Sequence, residues 1–166
     1  TPDKLVLLNG LVGAWQEDLS QKQGDVTNKK KPETWTFQKV EDKKYLLIHK
    51  DQYGLAAAFD VHVVKLGTHY FMDFFPGSLP ENYKNGKVGD PEVMNEFLKL
   101  HLLAVHTFAK VELSGKTLKI NMFDPDFLRK LLENQQIRIR HEKTEAGYLL
   151  TASSEDLQKF VEKYAD

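Results

Sequence analysis

Histidine is the residue type in this 166-residue chain with the most potential for chemistry. No two of the six histidines have the i, i+2 spacing of a strand pair or the i, i+4 spacing of a helical pair, so no local metal site is indicated. Cysteine is absent, which excludes disulfides, thiol catalysis and a thiolate-bound zinc site. We therefore expect no metal and no cofactor. The histidines are His49, His62, His69, His101, His106 and His141.

One histidine could be oriented by a carboxylate. In "FDVHVVKLGTHYFMDFF" a turn at Gly67-Thr68 places His62 opposite Asp73. Such a pair is the first part of a general base, but no serine or cysteine nucleophile has a recognisable setting beside it. The simpler interpretation is an ion pair on the outer face of a sheet, worth about 0.2–1 kcal/mol. We predict no catalytic residue and a non-enzymatic protein.

Composition narrows the class of protein. Apolar residues make up 41% and charged residues 28% of the chain, as in ordinary globular proteins, and the length fits one domain over 1–166. The net charge of −1 gives no global field that would attract nucleic acid, so we expect no nucleic-acid partner. No apolar run approaches 18 residues, and no transmembrane segment is predicted in this chain.

Alternating apolar and polar residues predict a chain of short strands. Nine period-2 segments with mostly short connections are typical of an antiparallel sandwich or closed barrel. The segments are 13–19, 33–40, 45–50, 57–66, 69–75, 107–114, 117–123, 137–143 and 148–152.

Four helices are predicted around these strands. The capping pattern indicates a short N-terminal helix ending at Asn9-Gly10, a helix from Asp90 within an insert at about 76–106, a helix from Asp124, and a C-terminal helix from Ser153.

Hairpin turns indicate which residues share a face. A turn at Gly115-Lys116 pairs Val111 with Ile120, and a tight turn at Asp42-Lys43 pairs Phe37 with Ile48. A barrel of about eight strands either fills with side chains or encloses one small ligand, and the sequence leaves both open. The predicted inner face comprises Trp35, Phe37, Leu46, Ile48, Val61, Val63, Met72, Phe74, Val111, Leu113, Leu118, Ile120, Met122, Ile137, Ile139 and Leu150.

Candidate ligand-binding residues follow from this face. His141 and Tyr148 fall on the apolar side of the last hairpin, where a buried imidazole or phenol needs a hydrogen-bond partner, either a ligand headgroup or a neighbouring side chain. The candidates are Trp35, Phe37, Ile48, Val63, Met72, Phe74, Ile120, His141 and Tyr148.

Two resemblances support the barrel. Gly13-Ala14-Trp15, at the start of the first strand, resembles the glycine–spacer–tryptophan signature of lipocalins and the wider calycin group. Together with "VGAWQED", four further segments resemble an uncharacterised family of exported bacterial proteins, often lipoproteins: "HYFMDFFPGSLPEN", "HLLAVHTFAKVEL", "DPDFLRKLLEN" and "LTASSEDLQKFVEKYAD". The resemblance implies a single antiparallel, lipocalin-like barrel in the bacterial cell envelope, periplasmic or lipid-anchored. It transfers no functional residues.

These observations favour a binding function. We expect a non-enzymatic envelope protein that carries or senses a small hydrophobic ligand such as a lipid, with the 76–106 insert as a gate. The alternative is a solid barrel that acts as an interaction module and docks an envelope protein partner, whose identity the sequence does not indicate.

Overall fold

The fold is mainly β, as the sequence predicts. The computed structural model describes residues 2–21, 31–80, 94–99, 105–145 and 147–164. Its α-helices are α1 (Glu96–Lys99), α2 (Pro125–Glu133) and α3 (Ser154–Lys163), and 3₁₀ turns lie at Pro2–Lys4 and Leu19–Gln21. Its strands are β1 (Gly13–Gln16), β2 (Thr34–Glu41), β3 (Lys44–Lys50), β4 (Ala56–Leu66), β5 (His69–Pro76), β6 (Thr107–Ser114), β7 (Thr117–Met122), β8 (His141–Thr144) and β9 (Gly147–Leu150).

Seven strands form one antiparallel sheet in chain order, from β1 to β7, and this sheet is a nearly closed barrel. The architecture is compatible with a lipocalin-like fold. Sequential strands are neighbours because short connections join them. The last two strands, β8 and β9, form a separate two-stranded sheet.

Contacts group the chain into two compact units. The N-terminal unit takes in residues 7–63 and 73–107, and the C-terminal unit takes in 1–6, 64–72 and 108–166. A single domain over 1–166 stays a prediction.

The C-terminal unit is built on a cluster of buried apolar side chains. Leu131 of α2 and Phe160 and Val161 of α3 pack with Leu66 and Phe71 of β4 and β5. Both helices begin where the sequence predicts, because the side chains of Asp124 and Ser153 accept backbone N–H groups of their first turns. The predicted α2 and α3 are therefore confirmed.

The register of β6 and β7 is confirmed, and that of β2 and β3 is wrong by one residue. Val111 pairs with Ile120 as predicted. Phe37 pairs with Leu47, and not with Ile48, because the register shifts between Lys39 and Glu41. This bulge turns every later residue of β3 to the other face.

The bulge changes which residues accompany Trp35. Directly paired residues of antiparallel strands share a face, and Trp35 pairs with His49. Ile48 pairs with Thr36 and is buried on the opposite face from Trp35. The predicted inner positions Ile48 and Leu46 are therefore corrected to Leu47 and His49.

The last hairpin also differs from the prediction. His141 is exposed, its Nδ1 lies 2.8 Å from the carbonyl oxygen of Ile139, and its ring contacts half-buried Tyr148. Ile137 and Ile139 precede β8 and, like Leu150, pack against the apolar cluster of the C-terminal unit. Neither a buried imidazole nor a buried phenol is present in this hairpin.

Two helix predictions have other outcomes. The N-terminal helix is replaced by the 3₁₀ turn Pro2–Lys4, after which Leu5 forms an antiparallel bridge with Val64. A two-turn helix is marginal by itself, and the bridge gives the backbone other partners. The insert contains α1, whereas its predicted start at Asp90 lies outside the described residues.

Candidate functional site

Five aromatic rings from five consecutive elements form a cluster in the N-terminal unit. Trp35, His49, Phe59 and Phe74 come from the four neighbouring strands β2 to β5, and Phe97 comes from α1. The ring centre of Phe97 lies 4.7 Å from that of Phe59, 5.0 Å from Trp35, 5.3 Å from His49 and 5.6 Å from Phe74. Tilted and edge-on pairs at these distances are favourable aromatic contacts. We call these five residues the aromatic cluster.

Asn95, the residue before α1, connects the start of this helix to β3 and to the β3–β4 connection. Its Nδ2 donates to the carbonyl oxygens of His49 and Leu55, and its Oδ1 accepts the N–H of Leu98 at 3.1 Å. Asn95 is buried, so these bonds satisfy polar groups that water does not reach.

Asp51 makes the second attachment. Its Oδ1 accepts the N–H groups of Tyr53 and Leu55, and its Oδ2 accepts the N–H of Glu96 at 3.1 Å. Asp51 is buried, and these three N–H donors satisfy its carboxylate oxygens where water does not reach. Together, Asp51 and Asn95 set the position of α1, and hence of Phe97.

Both ring nitrogens of His49 contact a polar side chain. Because Nδ2 of Asn95 donates to carbonyls, the atom facing His49 Nδ1 at 3.2 Å is the acceptor Oδ1, and Nδ1 carries a hydrogen. His49 Nε2 lies 3.2 Å from Glu33 Oε2. The Glu33 side chain is 30% exposed, so this contact lies at the edge of the buried site.

This arrangement differs from that of a catalytic base. Both ring nitrogens of His49 have partners within the chain, and only 1% of the residue is exposed. A general base needs a nitrogen that can reach a substrate proton. His49 therefore orients its neighbours and offers no nitrogen to a substrate.

Tyr45 is the other buried polar side chain on this face. It is paired with Val61, and its hydroxyl oxygen accepts the N–H of Leu8 at 2.9 Å. Burial raises the pKa of the Tyr45 phenol from its usual 10.0, and the hydrogen bond from Leu8 acts in the opposite, weaker direction.

The predicted ligand-binding residues are distributed over both units. Trp35 and Phe74 belong to the aromatic cluster, Phe37 is buried two residues along β2, and Val63 and Met72 are fully buried core residues. Met72 lies in the C-terminal unit, as do Ile120, His141 and Tyr148.

Sequence reasoning missed six residues of the site. Asp51 in "DQYG" has the pattern of a side chain that accepts backbone N–H groups two and four residues on, and Asn95 in "NEFL" has that of a helix cap. These local signals were available, whereas the contact of Asn95 with His49 spans 46 positions. The missed residues are Glu33, His49, Asp51, Phe59, Asn95 and Phe97.

Asp73 has a different histidine partner from the one considered above. Both of its carboxylate oxygens lie 2.9 Å from Nδ1 of His106, whose ring also packs on Phe75. The His106 side chain is 63% exposed. The contact is that of a surface ion pair, and the predicted register of His62 with Asp73 stays a prediction.

Grouped metal ligands and membrane-spanning helices are both absent from the described part of the chain. There, no three His, Cys, Asp or Glu residues are grouped as metal ligands. None of the helices in the described ranges has the length and apolar character needed to cross a bilayer. In comparisons with family models, curated proteins and solved structures, nothing matches this chain.

Proposed function

We propose that this protein is a non-enzymatic binding protein that carries or senses a small apolar molecule, and that this molecule takes the place of the Phe97 ring in the aromatic cluster. The supporting observation is that one side chain of α1 contacts four rings of the sheet. The rings from β2 to β5 are held by the sheet itself. Only the Phe97 ring depends on α1.

The composition of the cluster fits an apolar ligand. With Phe97 displaced, the exposed surface would consist of Trp35, Phe59 and Phe74 with one imidazole at its edge. Small-molecule sites are mostly aromatic and aliphatic, with few polar groups that fix orientation.

Displacing Phe97 has a cost that sets the affinity. Exposing a buried phenylalanine side chain costs about 1.5–3 kcal/mol. Every 1.4 kcal/mol is a factor of about ten in affinity, so the intact protein binds about 10- to 100-fold more weakly than one without this ring.

Phe97→Ala tests the proposal, with Phe160→Ala as the matched control. Both phenylalanines are 8% exposed, but Phe160 belongs to the apolar cluster of the C-terminal unit. We expect each variant to lose about 3–5 kcal/mol of unfolding free energy. In titrations with a fluorescent fatty acid, Phe97→Ala should bind about 10- to 100-fold more tightly than the parent, and Phe160→Ala should match the parent.

An absence of binding in both the parent and Phe97→Ala would contradict the proposal. An equal gain in affinity in Phe97→Ala and Phe160→Ala would also contradict the proposal, because a new cavity in either unit would then be enough to bind the fatty acid. The cell-envelope location remains part of the proposal on the sequence resemblance alone, and fractionation of cells that produce the full-length protein tests it.

The second candidate is an interaction module with a solid interior. It is supported by the complete burial of large side chains in the N-terminal unit: Phe37, Tyr45, Leu47, Phe59 and Phe74. This candidate expects Phe97→Ala to lose stability without any binding of the fatty acid, so the same titration separates the two functions.

A further inference from the structure

A groove in the C-terminal unit has features that the proposed ligand site does not use. It lies between residues 136–140 and one face of α3 and has a volume of about 340 Å³. Apolar side chains, among them Ile137, Ile139 and Phe160, line part of it, and these also contact the apolar cluster of this unit. We call this feature the basic groove, for the charges described below.

Residues 136–140 resemble a strand without a partner. Gln136, Arg138 and Arg140 are exposed, whereas Ile137 and Ile139 are half-buried, which is the alternation of an extended chain. The Gln136 N–H donates to Leu131, and the Arg140 carbonyl accepts from Thr151. Between these bonds, the described residues give the backbone groups of positions 137–139 one hydrogen-bond partner, the exposed His141 ring, whose Nδ1 lies 2.8 Å from the Ile139 carbonyl oxygen.

The rim of the groove is positively charged. Arg138, Arg140, Lys159 and Lys163 line it, against one acidic residue, Asp156. Lys159 forms ion pairs with Glu155 and Asp156, and Lys163 lies over the Tyr164 ring. Neither Arg138 nor Arg140 has an ion-pair partner among the described residues. Two unpaired guanidinium groups on alternate positions of an extended chain can be separated by roughly 6.6 Å.

We propose that the basic groove binds an extended acidic peptide segment of a partner protein, which pairs with the backbone of residues 137–139 as an added strand. Acidic side chains at alternate peptide positions repeat at roughly the spacing of Arg138 and Arg140 and provide carboxylates for them. The other N–H and C=O groups of residues 137–139, which have no partner among the described residues, provide the main-chain bonds that strand addition requires. A single small anion would satisfy the arginines but leave the backbone groups without partners.

Charge reversal tests the arginines. The probe is a fluorescein-labelled peptide of alternating valine and glutamate, Val-Glu-Val-Glu-Val-Glu, followed by fluorescence anisotropy. We expect the double variant R138E/R140E to weaken binding by about 30-fold or more, because it removes two attractions and adds two repulsions. The matched control, K116E/K130E, changes net charge equally at exposed positions outside the groove and should bind like the parent.

Backbone methylation tests strand addition separately. Two versions of the peptide carry N-methyl groups on all glutamates or on all valines, which block opposite edges of the strand. We expect one version to lose binding by at least about tenfold and the other to keep it, because a strand pairs with the groove through one edge. Equal binding of both methylated peptides and the parent peptide would overturn the proposal, since only charge would then matter. Equal loss in R138E/R140E and the control would overturn it as well.

Discussion

The aromatic cluster and the basic groove differ in where their polar groups find partners. Around the cluster, Asp51, Asn95 and His49 are buried and hydrogen-bonded within the chain. Along the groove, Arg138 and Arg140 are exposed and have no ion-pair partner in the described part of the chain. A ligand of the aromatic cluster must displace the Phe97 ring. A ligand of the basic groove must supply hydrogen-bond acceptors for the two arginines. Polar groups that are already paired within the chain thus favour an apolar ligand at the aromatic cluster. Arginines without such partners favour a charged ligand at the basic groove.

Among the substitutions of polar residues, Asn95→Ala should have the largest effect on stability. The substitution removes the acceptor of the His49 Nδ1 hydrogen and of the Leu98 N–H, whereas the Leu55 carbonyl still accepts the N–H of Asp51. Because buried unpaired groups cost about 1–3 kcal/mol each, we expect a loss of about 3 kcal/mol or more by chemical denaturation. The control Asn121→Ala, at an exposed position of β7, should change stability by less than about 0.5 kcal/mol. Similar losses in both would mean that α1 is not held by Asn95.

Glu33→Gln should have a smaller effect on stability than Asn95→Ala. The glutamine side chain can keep a hydrogen bond to Nε2 of His49, so we expect a loss of about 1 kcal/mol or less of unfolding free energy. Chemical denaturation of the parent and the variant measures this difference. A loss as large as that of Asn95→Ala would contradict it.

Tyr45→Phe should change how stability depends on pH. Burial raises the pKa of Tyr45 in the folded protein, so its contribution is complete below the unfolded value of 10.0 and is lost as pH rises through the folded pKa. At neutral pH we expect the variant to lose about 1 kcal/mol, because the Leu8 N–H loses its acceptor. Above pH about 10, unfolding free energy should fall more steeply in the parent than in the variant. Parallel pH curves would show that the phenol is not buried in the folded state.

The smallest expected effects on stability come from two single glycine substitutions, one in each unit. Lys43 in the β2–β3 turn and Gln135 after α2 have φ values of 63° and 54°, where glycine is favoured over other residues. Replacing either by glycine should therefore raise unfolding free energy by about 0.5–1 kcal/mol. Thermal melts of the two single variants check this. If one variant loses unfolding free energy, the side chain that it replaces, Lys43 or Gln135, stabilises its turn.

The strands and the later helices could be predicted because their signals are local. Period-2 alternation gave all nine strands to within a few residues, except that β8 begins at His141 and not at 137. The capping motifs at Asp124 and Ser153 each lie within four consecutive residues, and the structure confirms both caps.

The candidate site could be predicted only in part because it depends on a bulge and on distant contacts. One extra residue near Val40 exchanged Ile48 for His49 on the face of Trp35. The pairing of Asn95 with His49, and the packing of Phe97 on four strands, join segments about 40 residues apart that no periodicity connects. Trp35 and Phe74, both predicted on the inner face, lie in the aromatic cluster. Asp51 and Asn95 have local turn and cap signals, but nothing local connects them with His49 or Phe97.

The displacement of Phe97 is the central claim, and nuclear Overhauser contacts between the rings of Phe97 and Trp35 test it most directly. Their centres lie 5.0 Å apart in the free protein, so these contacts should be observed before any ligand is added. On saturation with a medium-chain fatty acid, we predict that they disappear and are replaced by contacts between Trp35 and the acyl chain. Persistence of the Phe97–Trp35 contacts in the saturated complex would contradict the account.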